Sequence, residues 1–350
     1  MRHHYCLFLF FAGLPPGLRA QTAPPEAAVG LSGHLGSFIT KMSKADLLKD
    51  SYSELVAVEW SRSTAHAPRT RLGAVLLHGN SGSRQYVGAV TALLGFVDRT
   101  LVTAGPVRLH ARLGIGPGRI ARPFDAATNP KNSLLGSHLN AALQGSLFGE
   151  LHIGRHWSWN AGISFLHLSS GAASLPNLGL NIPALTTGLS YRYAQTPLKP
   201  VPPAPPARRA HFETWASAGR KQWPLVNSPR RWVQVLGIEW QRRFSANGRY
   251  GAVLQVLRDP TPVSGVDTLQ KAPGGGGWQA GIGAQYLMVL GRLEVPVQAG
   301  AYLFNKRDVN AWYQTLGVRY RFADRWRAGI HLKTHMGRAD YFHAGIGYQW

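Results

Sequence analysis

Residues 157–169 read Trp-Ser-Trp-Asn-Ala-Gly-Ile-Ser-Phe-Leu-His-Leu-Ser, and residues 170–181 continue as Ser-Gly-Ala-Ala-Ser-Leu-Pro-Asn-Leu-Gly-Leu-Asn. Trp157, Trp159, Ala161, Ile163 and Phe165 are apolar and alternate with Ser158, Asn160, Gly162 and Ser164. Successive side chains of a strand point to opposite faces, so this text predicts a strand with one bulky apolar face and one polar face. An antiparallel barrel in a bilayer has that division, with the apolar face toward lipid and the polar face toward the lumen. His167 and Ser169 continue the apolar face, about 6 to 7 Å apart at Cα. A basic nitrogen and a hydroxyl therefore stand together at the end of a greasy surface.

That spacing is the minimum geometry for a serine activated by a histidine base. Taken alone it is a weak signal, because His156 and Ser158 have the same spacing on the polar face. What distinguishes the first pair is the sequence after it. Gly171, Pro176, Asn177, Gly179 and Asn181 make a loop of special backbone positions and amides, able to hold an oxyanion or to orient an imidazole.

Working outward from this strand, the same alternation recurs along the chain. Strands are predicted near 28–39, 52–63, 70–79, 85–96, 101–115, 132–147, 151–169 and 184–195. Eight more are predicted near 211–219, 231–244, 248–257, 278–289, 291–304, 311–323, 326–335 and 340–350. Forty glycines, eleven tryptophans and twelve tyrosines suit a transmembrane barrel better than a soluble domain. The fold class expected is all-β, a transmembrane antiparallel barrel of roughly 16 strands or two 8-stranded halves joined by a proline-rich linker. A secreted β-sandwich is the alternative open to the same alternation. No segment supplies the ~20 continuous apolar residues of a membrane helix.

The domain plan follows from the punctuation. Residues 1–20 carry a basic start, the apolar run Tyr5 to Leu14 and Ala20 before Gln21, the pattern of a secretory signal peptide cut after Ala20. Cys6, the single cysteine, would leave with it. Residues 21–196 form the barrel half with the His-x-Ser motif. Residues 197–209, with Pro197, Pro200, Pro202, Pro203, Pro205 and Pro206, cannot pair in a sheet and read as a linker. Residues 210–350 are read as C-terminal strands completing the barrel. Two hairpins echo each other: Glu59-Trp60 followed by Arg71-Leu-Gly-Ala-Val-Leu76, and Glu239-Trp240 followed by Arg249-Tyr-Gly-Ala-Val-Leu254. Either an internal duplication or convergent barrel patterning would write such text.

His167, Ser169, Pro176, Asn177 and Gly179, followed by the strand through Tyr193, resemble the signature of the outer-membrane lipid A 3-O-deacylases, relatives of which are labelled acyloxyacyl hydrolases. The resemblance extends back over Asp125, Asn129, Asn132, Gly136, Ser137 and Asn140. It implies an outer-membrane serine esterase that removes an ester-linked acyl chain from lipid A or a related glycolipid. Ser169 would be the nucleophile, His167 the base and Asn181 the residue that orients it. Ser170, Gly171 and Asn177 would shape the oxyanion site, with Asp125 as the nearest carboxylate. The chain departs from the family at two places: Asn181 stands where a glutamate is usual, and Ser170 where an asparagine follows the nucleophile. The alternative to an enzyme is a pore or a lipopolysaccharide-binding barrel carrying a vestigial motif.

If the chain enters from the periplasm, odd strands run outward. The seventh then delivers His167 and Ser169 to the outer leaflet, where lipid A resides, and Glu150 falls at the opposite end. The last strand alternates Phe342, Ala344, Ile346, Tyr348 and Trp350 and ends on an aromatic residue, resembling the signal read by the outer-membrane barrel assembly machinery. The formal charge of +22, or +20 without Arg2 and Arg19, favours phosphorylated acidic partners such as lipopolysaccharide. Nucleic acid is not expected as a partner, since the basic residues are dispersed among strands and no recognition motif occurs. No metal or cofactor is expected: His-Glu-x-x-His is absent, and Gly274 to Gly277 lacks the lysine of a phosphate loop.

Overall fold

The structure, a computed structural model, describes residues 26–40, 47–64, 67–195, 210–222, 228–245, 247–261, 274–305, 311–335 and 338–350. The signal peptide 1–20 with its cut after Ala20, and the linker 197–209, lie outside the described residues. The first eight strands are β1 (Glu26–Gly36), β2 (Ser53–Thr64), β3 (Ala67–Ser81), β4 (Ala89–Ala104), β5 (Val107–Ile120), β6 (Leu139–Ile153), β7 (Trp157–Ser169) and β8 (Leu180–Gln195). The second eight are β9 (Ala210–Gln222), β10 (Arg230–Ser245), β11 (Gly248–Arg258), β12 (Trp278–Leu290), β13 (Leu293–Asn305), β14 (Trp312–Arg321), β15 (Trp326–His335) and β16 (Arg338–Gln349).

Each set closes on itself. β1 pairs antiparallel with β8, and β16 pairs antiparallel with β9, so the chain forms two eight-stranded barrels. The second eight strands therefore do not complete a barrel begun by the first. Eight strands are enough because side chains alone fill a lumen of that size. Four strands begin four or more residues later than the alternation predicts: β4 at Ala89, β5 at Val107, β6 at Leu139 and β7 at Trp157. Asp98, outside the predicted strands 85–96 and 101–115, lies on β4, points into the first lumen and accepts from Arg71, Arg112 and His110. Asn132, Leu134 and Leu135, which look like a strand start, are buried in the loop between β5 and β6.

The outward surfaces are apolar. Val56, Val58, Leu76, Leu93, Leu113, Ile163, Phe165 and Leu185 are exposed around the first barrel, and Leu236, Ile238, Leu254, Ile282 and Ile330 around the second. At the end where odd strands start, Trp60, Trp157, Trp159, Tyr191 and Tyr193 are exposed on the first barrel, as are Tyr250, Tyr320, Trp326 and Trp350 on the second. An apolar band with an aromatic girdle is the outer surface of a membrane-spanning barrel. No helix among the described residues is long and apolar enough to cross a membrane.

The lumens are filled. Toward the starts of the odd strands, Arg71 bridges Asp98 at 2.8 Å and Glu150 at 3.1 Å, while Arg112 pairs with Glu59 and Asp98. Glu150 thus belongs to a lumen network at the far end from Ser169. Toward the other end the first lumen turns apolar, with Phe38, Leu48, Val87, Leu134 and Leu135 packing from the loops onto Leu166, Leu168, Leu180 and Ile182. In the second barrel Arg319 pairs with Glu239, and Arg327 lies 3.4 Å from Glu213. A cavity of about 30 Å³ remains in each lumen, room for no more than a few waters.

The echoing hairpins occupy equivalent places. Trp60 of β2 faces Ala74 of β3, and Trp240 of β10 faces Ala252 of β11, each pair in the second and third strands of its barrel. The shared register of Glu-Trp against Gly-Ala-Val extends the sequence echo into three dimensions.

Candidate active site

The face on which the motif lands is decided by its neighbours. Leu166 and Leu168 of β7, and Leu180 and Ile182 of β8, are buried in the apolar outer third of the first lumen. Period-two alternation then turns Phe165, His167 and Ser169 outward on β7 and Asn181 outward on β8. A slip of one residue would bury the histidine and expose two leucines, so the core enforces the register. In that register His167 is paired directly with Asn181.

Asn181 Oδ1 lies 2.7 Å from His167 Nδ1. The amide is oriented by its Nδ2, which donates to the Ile39 carbonyl at 3.5 Å, while the Ile39 N–H donates to the Asn181 carbonyl at 2.8 Å. With Oδ1 facing the ring, Nδ1 must carry the proton, and Nε2 is left as an acceptor. That tautomer is the one a general base needs.

Ser169 is nearly buried, and its hydroxyl donates to Asn177 Oδ1 at 3.1 Å. The Gly171 N–H donates to Ser169 Oγ at 3.1 Å, and the Ser170 N–H donates to the same Asn177 Oδ1 at 2.8 Å. Among the described residues no hydrogen bond joins His167 to Ser169. Catalytic hydrogen bonds are often loose before substrate binds, and here the hydroxyl must leave Asn177 to reach Nε2. The Ser170 hydroxyl closes its own turn, donating to the Ser174 carbonyl at 2.8 Å and accepting from the Ser174 N–H at 3.3 Å. It is a loop clasp, whereas its sequence position marks it as an oxyanion donor.

The rest of the loop is built around the imidazole. Gly179 has φ of +81°, and a Cβ there would sit 2.8 Å from His167 Cε1, so both backbone and space require glycine. The Gly179 N–H donates to the Leu134 carbonyl, and Leu135 bridges to Asn177. Asn132 supports that contact from below, accepting from the Leu134 and Leu135 N–H groups while donating to the Arg122 and Tyr86 carbonyls. Asn129 likewise donates to the Tyr86 and Pro123 carbonyls. These asparagines are scaffold for the loop that carries Asn177.

Among the described residues Asp125 makes no hydrogen bond to His167. Its Oδ1 accepts from the Thr128 and Ala127 N–H groups and from the Thr128 hydroxyl, closing a turn at the surface. Those donors, Thr128's backbone foremost, hold its carboxyl below the usual carboxylate range. Ser158, the internal control, is fully buried on the lumen side of β7. Among the described residues no three of His, Cys, Asp and Glu gather as metal ligands.

Three residues of the second barrel reach this loop, and nothing in the linear text marks them. The Gln222 N–H donates to the Ala172 carbonyl at 2.9 Å, and Gln222 Oε1 accepts from the Leu175 N–H at 2.9 Å. Arg230 donates to the Ser174 hydroxyl. Phe342 packs where a Cβ on Gly171 would lie, 2.4 Å from its ring. Only closure of the second barrel brings them to one place.

Two family profiles match the chain. Residues 51–190 match the family profile described as lipid A 3-O-deacylase (PagL), and residues 210–350 match the profile described as acyloxyacyl hydrolase, C-terminal domain. No curated protein matches. Among solved structures, a mutant Rhodopseudomonas blastica porin aligns at 8% identity and TM-score 0.18, over 93% of this chain and 100% of the porin. The FrpB iron transporter from Neisseria meningitidis aligns at 9% identity and TM-score 0.23, over 93% of this chain and 70% of the transporter. Likeness at those scores carries no argument about function.

Proposed function

Since the chain belongs to the lipid A 3-O-deacylase and acyloxyacyl hydrolase family, with the two profiles falling on its two barrels, we propose that it is an outer-membrane serine esterase removing an ester-linked acyl chain from lipid A. The observation that carries the reading is the His167–Asn181 hydrogen bond between paired positions of β7 and β8, on the same face of β7 as Ser169. An acyl chain lying along the exposed Phe165, Ile163 and Leu185 would bring its ester to the rim where the hydroxyl stands.

Ser169 Oγ attacks the ester carbonyl while His167 Nε2 takes its proton, and Asn181 Oδ1 stabilises the Nδ1–H of the imidazolium. As Oγ bonds to carbon, the Gly171 N–H that it holds at rest becomes available to the developing oxyanion. Asn177, whose Oδ1 is committed to the Ser170 N–H, has its Nδ2 left to donate. His167 returns the proton to the departing sugar hydroxyl. Water activated by the same imidazole then cleaves the acyl-serine, releasing a fatty acid and restoring Ser169.

Location in the outer membrane is supported by the apolar bands and aromatic girdle, and the net charge of +22 suits a phosphorylated glycolipid. The packed lumens, each with a cavity of only about 30 Å³, do not favour a pore. Mass spectrometry of lipid A from cells with and without the protein tests the reading: lipid A lacking one acyl chain should accumulate with it. An unchanged lipid A profile, accompanied by conductance in planar bilayers, would replace the enzyme with a channel.

A further inference from the structure

We propose that the second barrel is a working part of the deacylase site, and that Gln222 is a positioning residue for the loop carrying the oxyanion donors. The proposal rests on the reading of Ser169 as nucleophile. The segment to be held is short: Ser169, Ser170 and Gly171 supply the attacking hydroxyl and the N–H groups around it, and the chain then leaves the barrel rim through Ala172 to Leu175. Gln222 brackets this segment at two points, its N–H on the Ala172 carbonyl and its Oε1 on the Leu175 N–H, both at 2.9 Å. The side chain is buried, so these bonds act where water competes little.

Arg230 adds a third point. It is paired with Gln222 across the β9–β10 hairpin and donates to Ser174 Oγ. Ser174 is in turn locked to the Ser170 hydroxyl in both directions, and the Ser170 N–H bonds Asn177 beside the nucleophile. A continuous path of hydrogen bonds thus runs from the second barrel to the atoms around Ser169 Oγ. Phe342 closes the contact from β16, against a glycine whose φ of +57° sets the bend after Ser170. Gln222 ends β9, Arg230 opens β10 and Phe342 lies in the first half of the adjacent β16, so the grip depends on closure of the second barrel.

This arrangement assigns the second barrel a role that its filled lumen does not: it braces, from outside, a loop whose own barrel leaves it projecting. Misplacing oxyanion donors by an ångström lowers turnover on the order of a hundredfold without touching the ground-state contacts of an acyl chain. Loss of the brace is therefore read in kcat rather than in KM.

The test uses the full chain, folded in detergent, with a soluble chromogenic ester and with purified lipid A. Gln222→Leu should lower kcat about tenfold or more at nearly constant KM, and Gln222→Glu, which keeps an acceptor for the Leu175 N–H, should recover most of it. Gln279→Leu, which removes a buried amide of the same barrel bonded to Asn305 and not to the loop, should leave kcat unchanged. Heat-modifiable migration monitors folding of every variant. Wild-type kcat in Gln222→Leu, or an equal loss in Gln279→Leu, overturns the proposal. Hydrogen exchange at the 171–175 amides reads the grip without activity: unchanged protection in Gln222→Leu also overturns it. Absence of Ser169-dependent turnover in the wild type would instead strike the esterase reading beneath it, and the positioning role with it.

Discussion

Replacing Asn181 by leucine removes the one side-chain acceptor found on His167 Nδ1 among the described residues, at 2.7 Å. A hydrogen bond between neutral groups contributes about 1 kcal/mol net, and one to a charged group about 1.5 to 3 kcal/mol. The bond therefore strengthens by about 0.5 to 2 kcal/mol as the ring becomes imidazolium, and its loss slows the chemical step roughly 2- to 30-fold. Leucine also frees the ring to take the other tautomer, which presents a donor to the serine where an acceptor is needed, and this adds a further factor of several. The expected fall in kcat is on the order of a hundredfold. Asn181→Asp supplies a full charge at the same distance, and what it gives up is Nδ2's 3.5 Å contact with the Ile39 carbonyl. Turnover should rise or stay unchanged. Steady-state kinetics on a chromogenic ester, with Asp125→Ala in parallel, decide the matter. Full activity in Asn181→Leu together with loss in Asp125→Ala would refute the reasoning and move the orienting group to the 121–138 loop.

Ser158→Ala, in the lumen on the opposite face of β7, should leave turnover unchanged in the same assay; a loss would mean that the wrong His-x-Ser pair had been chosen. Gly179→Ala should fold, since barrel closure does not depend on it, yet turn over about tenfold more slowly, because a left-handed backbone costs about 1 to 2 kcal/mol and the new methyl presses on the imidazole. Leu168→Ala, in the apolar outer third of the lumen, should lower stability by about 2 to 5 kcal/mol, read as an earlier midpoint in urea titrations of the detergent-folded protein. If that midpoint does not move, the leucine is not holding the register of His167 and Ser169.

The strands were legible because barrel strands write their two faces in alternation, and Trp157 to Phe165 does so for nine residues. Alternation says nothing about which strand pairs with the first, so the choice between one barrel and two rested on the contacts of β1 with β8 and of β9 with β16. Asp98 falls between two predicted strands because a carboxylate in a lumen ion network and a carboxylate in a turn look alike in the text. At the site, His167, Ser169, Asn177 and Asn181 could be read from one strand, one loop and the strand after it, since local geometry assembles them. Asp125 could not be excluded from sequence, because its bonds to Thr128 and Ala127 depend on how its own loop bends. Gln222 and Arg230 left no trace, being 47 and 56 residues from their partners and ordinary in composition.

Ser169 bears the attacking atom of the proposed chemistry. Purified protein, wild type and Ser169→Ala, incubated with purified lipid A and followed by mass spectrometry of both the glycolipid and the released fatty acid, tests it directly. The account predicts that the wild type removes one acyl chain and liberates the matching fatty acid, whereas Ser169→Ala, folded to the same heat-modifiable form, is slower by on the order of a thousandfold or more. Equal deacylation by the two proteins would contradict it.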